Sequence, residues 1–136
     1  MTSKMRTAQA GVAFATWQLT RRDWEVLPVP DAPKRSTLLQ IKKESFAGEL
    51  LIQSRAFSGL NAVSLGEGIV DPNSLPFDWL IISTNIRSDT PTCFLLNRQD
   101  VLETMKRDPN GPLFWIDPLR YKLSRFQDRW DEIGLS

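Results

Sequence analysis

The spacing of apolar and polar positions changes along this chain, and each change marks an element. From about residue 6 to 22 the apolar positions fall at helical spacing. Val12, Ala15, Thr16 and Leu19 make one stripe, and Ala10, Ala13, Phe14 and Trp17 make a neighbouring one. Arg21 and Arg22 close the predicted helix, where cations complement its dipole. Gly11 is a weak point in it, offset by the alanines around it. Trp24 to Val29 then reads as a strand, and Pro28 places it at a sheet edge. Prolines 28, 30 and 33 break regular structure and give a loop through Asp31 to Arg35. Thr37 to Lys42 is a second strand, antiparallel to the first, and Lys43 to Gly48 is a turn.

The run Glu49 to Phe57 organises the rest. Side chains alternate across a strand, so Leu50, Ile52, Ser54 and Ala56 share one face. Glu49, Leu51, Gln53, Arg55 and Phe57 share the other, which plants a polar pair, Gln53 and Arg55, on it. Ser58 to Phe77 is long and irregular, with Gly59, Gly66, Gly68, Pro72 and Pro76. It leaves from the end of the organising strand, and loops of this length often border sites. Asp78 to Thr84 is apolar through its middle, as a strand covered on both faces would be. Thr92 to Asn97 is the next strand. Asn97 and Asp100 then open a helix from Arg98 to about Arg107, with Val101, Leu102 and Met105 as its apolar stripe. Asp108 to Pro112 is a stop, and Leu113 to Ile116 a short strand. Ser124 to Gln127 fits a capping box, and Phe126, Trp130 and Ile133 predict a final helix that ends at Gly134.

Composition narrows the chemistry. The 136 residues suit one compact domain spanning 1–136. The 41% hydrophobic and 24% charged contents are those of an ordinary globular chain. No apolar run approaches the roughly 18 residues that span a bilayer. The first residues read as an amphipathic helix rather than a signal peptide, which gives a cytoplasmic expectation. There is no histidine, which removes His-dependent nucleophilic catalysis and His-ligated zinc. Any metal site would be built from oxygen ligands, which suits magnesium or manganese. The single cysteine, Cys93, lies in an apolar run and reads as a buried thiol. Net charge is +1, from 17 basic and 16 acidic residues, so a broad basic surface is not expected.

The order of these elements resembles the PD-(D/E)XK nuclease superfamily, the restriction-endonuclease-like fold: a mixed central β-sheet flanked by helices, in the α/β class. The likeness runs from about Ala8 to Arg107. It rests on a helix before Trp24-Glu25-Val26, the strand start Thr37-Leu38-Leu39, and Gln53-Ser54-Arg55 at the place of the family's (E/Q)-x-K strand. Asp78-Trp79-Leu80-Ile81 and Cys93-Phe94-Leu95-Leu96-Asn97 complete it. The resemblance implies a phosphodiester hydrolase in which two carboxylates hold one or two divalent ions and a lysine orients the nucleophile. Here that motif is degenerate. Ala13 stands near the place of the accessory helix glutamate. Thr37, or Ser36 under a one-residue shift, stands at the aspartate position. Gln53 takes the Glu-or-Gln position, and Arg55 replaces the lysine. Glu49 shares the face but lies roughly 13 Å along the strand from Gln53. Glu25, Asp31 and Asp78 are further candidates for relocated ligands.

The leading expectation is a nuclease-like domain that no longer cuts and uses its old active face to bind DNA, RNA or a protein partner. Gln53 and Arg55 would be contacts, with Lys34, Arg35, Lys42 and Lys43 reaching phosphates. The alternatives are a magnesium- or manganese-dependent endonuclease with relocated carboxylates, and a structural homo-oligomer joined through an exposed sheet edge. Neither a cofactor for the non-cutting domain nor a membrane partner is expected.

Overall fold

The computed structural model describes residues 2–32, 36–67, 74–107 and 113–135. It is a mixed α/β arrangement built on a five-stranded mixed sheet flanked by helices. Helix α1 (Ser3–Thr20) starts three residues earlier than its periodicity predicts, because Thr2 caps it by accepting a hydrogen bond from the Met5 amide. Arg21 is the C-cap rather than a last-turn residue, and Arg22 reaches across to Asp131 at 2.7 Å. The buried face of α1 is Thr7, Gly11, Ala15 and Leu19. Val12 and Thr16 flank it, whereas Ala13 and Trp17 are exposed.

Strands β1 (Glu25–Pro28), β2 (Leu38–Lys43) and β3 (Phe46–Ala56) form an antiparallel meander. The organising strand is thus longer than predicted: the turn shrinks to Glu44 and Ser45, and β3 takes in Phe46 to Gly48. β3 pairs in parallel with β5 (Trp79–Thr84), which pairs antiparallel with β6 (Thr92–Asn97). Sheet order is β1-β2-β3-β5-β6. All six residues of β5 are buried, the apolar Trp79 to Ile82 together with the polar Ser83 and Thr84, as suits a strand covered on both faces.

The supposedly irregular segment after β3 is not wholly irregular. It holds strand β4 (Val63–Glu67), which joins β8 (Leu113–Ile116) and β7 (Lys106–Arg107) in a second, three-stranded sheet. Helix α2 (Arg98–Thr104) therefore stops earlier than predicted, since Lys106 and Arg107 pair with β8. Its predicted start holds: Asn97 and Asp100 form the full capping box. The final helix does not form. A short helix α3 (Pro118–Tyr121) and two 3-10 turns, Ser124–Phe126 and Trp130–Glu132, take its place. Gln127 forms an isolated bridge to Phe94, so this tail runs along the outer edge of β6.

Alternation on the strands sorts the core onto two faces. One cluster holds Leu39, Ile41, Ile52, Ile81 and Leu95 under α1. The other holds Leu80, Ile82, Phe94 and Leu96 with Val63, Ile116 and Tyr121. The tail serves both, because Trp130 and Ile133 join the first cluster and Phe126 the second. Among the described residues no helix is long and apolar enough to cross a membrane. Cys93 is buried on β6, and its thiol donates to Ser83 Oγ at 3.4 Å. Burial pushes this thiol up to about 11, so thiolate is scarce at neutral pH. A disulfide reagent at pH 8 should titrate no thiol in the folded protein and one equivalent in concentrated urea; prompt native labelling would contradict the packing of β6.

Candidate functional site

Thr37, Gln53 and Arg55 meet where β2 begins and β3 ends. Thr37, just before β2, accepts at its carbonyl from the Ser54 amide at 3.0 Å. Its Oγ1 accepts from Gln53 Nε2 at 2.7 Å, and the same amide nitrogen donates to the Ser54 carbonyl at 3.2 Å. Gln53 and Thr37 therefore satisfy each other. Arg55 points onward along the same face of β3, and its Nη1 donates to the Ser64 carbonyl on β4 at 3.1 Å. Its guanidinium is partly buried, and desolvation lowers its pKa from the ordinary value. A desolvated cation gains more from an anionic neighbour than a hydrated one does.

Arg55 and Thr37 line a cavity of about 430 Å³ between the start of α1 and the chain that leaves β3. Lys4 and Thr7 contribute from α1, and Ser58 and Asn61 from beyond β3. Ser54 also borders it, but the residue is 1% exposed; its hydroxyl is buried facing Gly11 of α1 and has no hydrogen-bond partner among the described residues. A neighbouring hollow of about 330 Å³ is lined by Ala13, Ser36 and Thr37 with Met5, Gln9 and Val12. Ala13 does lie beside the motif, then, but brings no oxygen to it.

The walls of the cavity are tied down. Phe57 donates to the Ser83 carbonyl at 2.9 Å, and its own carbonyl accepts from Ile86 at 3.0 Å. The Tyr121 hydroxyl donates to the Asn61 carbonyl at 2.6 Å. Arg87 holds the first turn of α1, donating to Ser3 O at 2.9 Å and to Thr7 Oγ1 at 3.1 and 3.2 Å. Arg87 thereby fixes Ser3 and Thr7, two of the residues that line the cavity.

The sequence grouped other cations with this site, and the structure separates two of them. Lys42 pairs with Glu25 at 3.9 Å, and Lys43 Nζ sits 4.3 Å from the centre of the Trp24 ring. Both lie at the opposite end of β2, roughly 16 to 20 Å along the strand from Thr37. Lys34 and Arg35 lie outside the described residues. The structure instead brings in Lys4, Thr7, Asn61 and Arg87. Lys4, Thr7 and Gly11 recur at helical spacing, and that spacing was the signal available for the first two. Asn61 falls in the segment expected to border a site. Nothing local marked Arg87, which lies 80 residues from Thr7 in sequence.

None of the candidate relocated acids lines the cavity. Asp78 accepts from the Leu51 amide at 2.8 Å and pairs with Arg98 at 3.5 Å, so it fastens β5 to β3. Glu49 accepts from Gln40 Nε2, Glu25 pairs with Lys42, and Asp31 sits in an exposed turn at φ 60°. Among the described residues no group of three or more His, Cys, Asp or Glu stands ready to hold a metal ion. The donor set around Arg55, two cations with hydroxyls and amides, does not fit a hard divalent cation. It fits an anion. No protein-family model, curated protein or solved structure matches the chain.

Proposed function

We propose that this chain is a restriction-endonuclease-like domain of the PD-(D/E)XK type with a degenerate motif, and that it binds nucleic acid on its former catalytic face without cutting it. One observation carries the proposal. Among the described residues, the cavity at the motif is lined by Lys4 and Arg55 and by no carboxylate. Metal-assisted hydrolysis needs acidic ligands there, whereas phosphate binding needs only the cations and donors present. The element order and the convergence of Ala13, Thr37, Gln53 and Arg55 on one end of the sheet support the fold relationship.

Arg55→Ala should weaken binding of a short DNA or RNA strand by roughly tenfold to a hundredfold, the range for a lost hydrogen bond to a charged group. Arg55→Lys should retain part of the affinity, since it keeps the charge and loses the fork. Fluorescence anisotropy at low salt measures both. Binding of neither DNA nor RNA by the parent protein would remove the nucleic-acid assignment and leave a protein partner for this face. Cleavage of supercoiled DNA in manganese that vanishes on Gln53→Ala plus Arg55→Ala would show that catalysis survives.

A further inference from the structure

We propose that the second apolar stripe of α1 is a docking face for an acidic amphipathic helix of a partner protein. The sheet takes one side of α1, through Thr7, Gly11, Ala15 and Leu19. The stripe of Ala10, Ala13, Phe14 and Trp17 turns away from it. These positions recur at the i, i+3, i+4 and i+7 spacing by which one helix reads another. Ala10 and Phe14 are half-buried, whereas Ala13 is exposed and Trp17 is 54% exposed. Phe14 packs against the first core cluster, with its ring 6.4 Å from that of Trp130. The Trp17 ring lies 5.8 Å from the Phe14 ring, so the core braces it without covering it. A lone exposed apolar residue is ordinary, but a tryptophan continued along a helix by three more apolar positions is a contiguous patch.

Charge decides what covers the patch. α1 contains no acidic residue. Arg6 stands one turn before Ala10 and Arg21 one turn after Trp17, on the same face and roughly 22 Å apart at about 1.5 Å per residue. Among the described residues neither is paired with a carboxylate. Arg21 stacks on the Trp17 ring at 4.7 Å and donates to Gln18 Oε1 at 3.3 Å. Asp131 of the tail is already held by Arg22. The face therefore asks for negative charge at both ends of an apolar seam. A second copy fits badly, because antiparallel packing lays Arg6 over Arg21 and parallel packing lays each over its own twin. A lipid surface fits badly as well, since Ala10 and Ala13 would bury little apolar area in it. The same alanines let a helix axis come within about 8 Å, with the Trp17 ring beside them as the anchor. Tryptophan and arginine are the side chains that most often dominate the energy of an interface.

The test uses two labelled helical peptides with one Leu/Ala seam and either Glu or Lys at the positions that meet Arg6 and Arg21. The Glu peptide should bind the full chain at least about tenfold tighter than the Lys peptide at low salt. Trp17→Ala should weaken the Glu peptide by about thirtyfold or more, the scale of an aromatic hot spot. Its melting temperature should stay close to that of the parent, because the ring is more than half exposed. Arg6→Glu together with Arg21→Glu should reverse the preference towards the Lys peptide, which a general loss of folding would not do. Arg55→Ala should leave both affinities unchanged, so this face and the nucleic-acid site stand or fall separately. Equal affinity for the two peptides, no binding of either, or binding that survives Trp17→Ala would overturn the proposal. A concentration-dependent dimer abolished by Trp17→Ala would give the face to a second copy. Binding to phosphatidylserine vesicles abolished by the same change would give it to a membrane, and either result would overturn the helix assignment.

Discussion

Arg129→Ala is expected to cost about 3 kcal/mol of folding stability, the lower end of what breaking a buried ion pair costs. Arg129 lies between the two 3-10 turns of the tail, and its Nη1 donates to Asp100 Oδ2 at 2.7 Å and to the Leu95 carbonyl at 3.2 Å. Its Nε donates to Glu132 at 2.7 Å. The guanidinium also sits 5.0 Å from the centre of the Trp79 ring. The two side chains of the Arg129–Asp100 pair are only 16% and 14% exposed, so water cannot readily replace the lost partner. Asp100 keeps one donor, the Asn97 amide of its capping box, at 3.0 Å, and this holds the loss below the upper end. Domains of this size have about 5–15 kcal/mol in total, so the change is large. Urea denaturation should show a lower midpoint with an unchanged slope. Adding Asp100→Asn to the variant should recover part of the loss, because the uncompensated charge is then gone. A loss under about 1 kcal/mol would mean that the pair is hydrated and that the tail is not pinned through Arg129.

The same residue shows which parts of the fold could be read from the chain. β5 and β6 were legible because Trp79–Thr84 and Thr92–Asn97 carry apolar stretches between turn residues. The capping box of α2 was legible because Asn97 and Asp100 stand at the required spacing. The tail was misread. Phe126, Trp130 and Ile133 fall at helical spacing and are all buried, but they are buried on opposite faces of the sheet. A helix would point them one way. The Phe94–Gln127 bridge and the Arg129 contacts draw the chain around the edge of β6 instead, and those partners lie about 30 residues away. The small second sheet was hidden for a similar reason. The strand at Leu113–Ile116 was legible as β8, but its partners β4 and β7, five and two residues long, join it through pairing that no local pattern announces.

The candidate site was half legible. Alternation along β3 correctly set Gln53 and Arg55 apart from Ile52 and Ser54, and the start of β2 placed Thr37 within reach of Gln53. What failed was grouping by proximity in sequence. Lys42 was counted with Arg55 although a strand carries it away at about 3.3 Å per residue. Lys4 reaches the cavity wall only because α1 packs over the end of β3, and Arg87 supports that wall through Ser3 and Thr7. Ser54 shares the other face with Ile52 and is buried there facing Gly11 of α1.

Gly11→Ala should destabilise the protein by about 2 kcal/mol, against the direction that helix propensity predicts. Glycine inside an exposed helix is worse than alanine by about 1 kcal/mol, so the substitution would ordinarily stabilise. Here a Cβ on residue 11 would lie 2.3 Å from the Ala56 Cβ and 3.4 Å from Ser54 Oγ. The first distance is impossible for two carbons in non-bonded contact, so α1 must lift from β3 or shift along it. Overpacking of this kind costs about 1–3 kcal/mol, and more where the backbone must move. The contact at fault is one methyl, which makes the cause separable from a general intolerance of residue 11. Ala56→Gly removes that methyl, and in the double variant the loss should be smaller than the sum of the two single losses by about 1 kcal/mol or more. Additive losses would place the strain somewhere other than between α1 and β3. The displacement also has a functional reading, since Lys4 and Thr7 ride on the same helix as Gly11 and Ser54 faces it. Gly11→Ala should therefore weaken strand binding even at temperatures where the variant remains folded, and Ala56→Gly should restore it along with the stability.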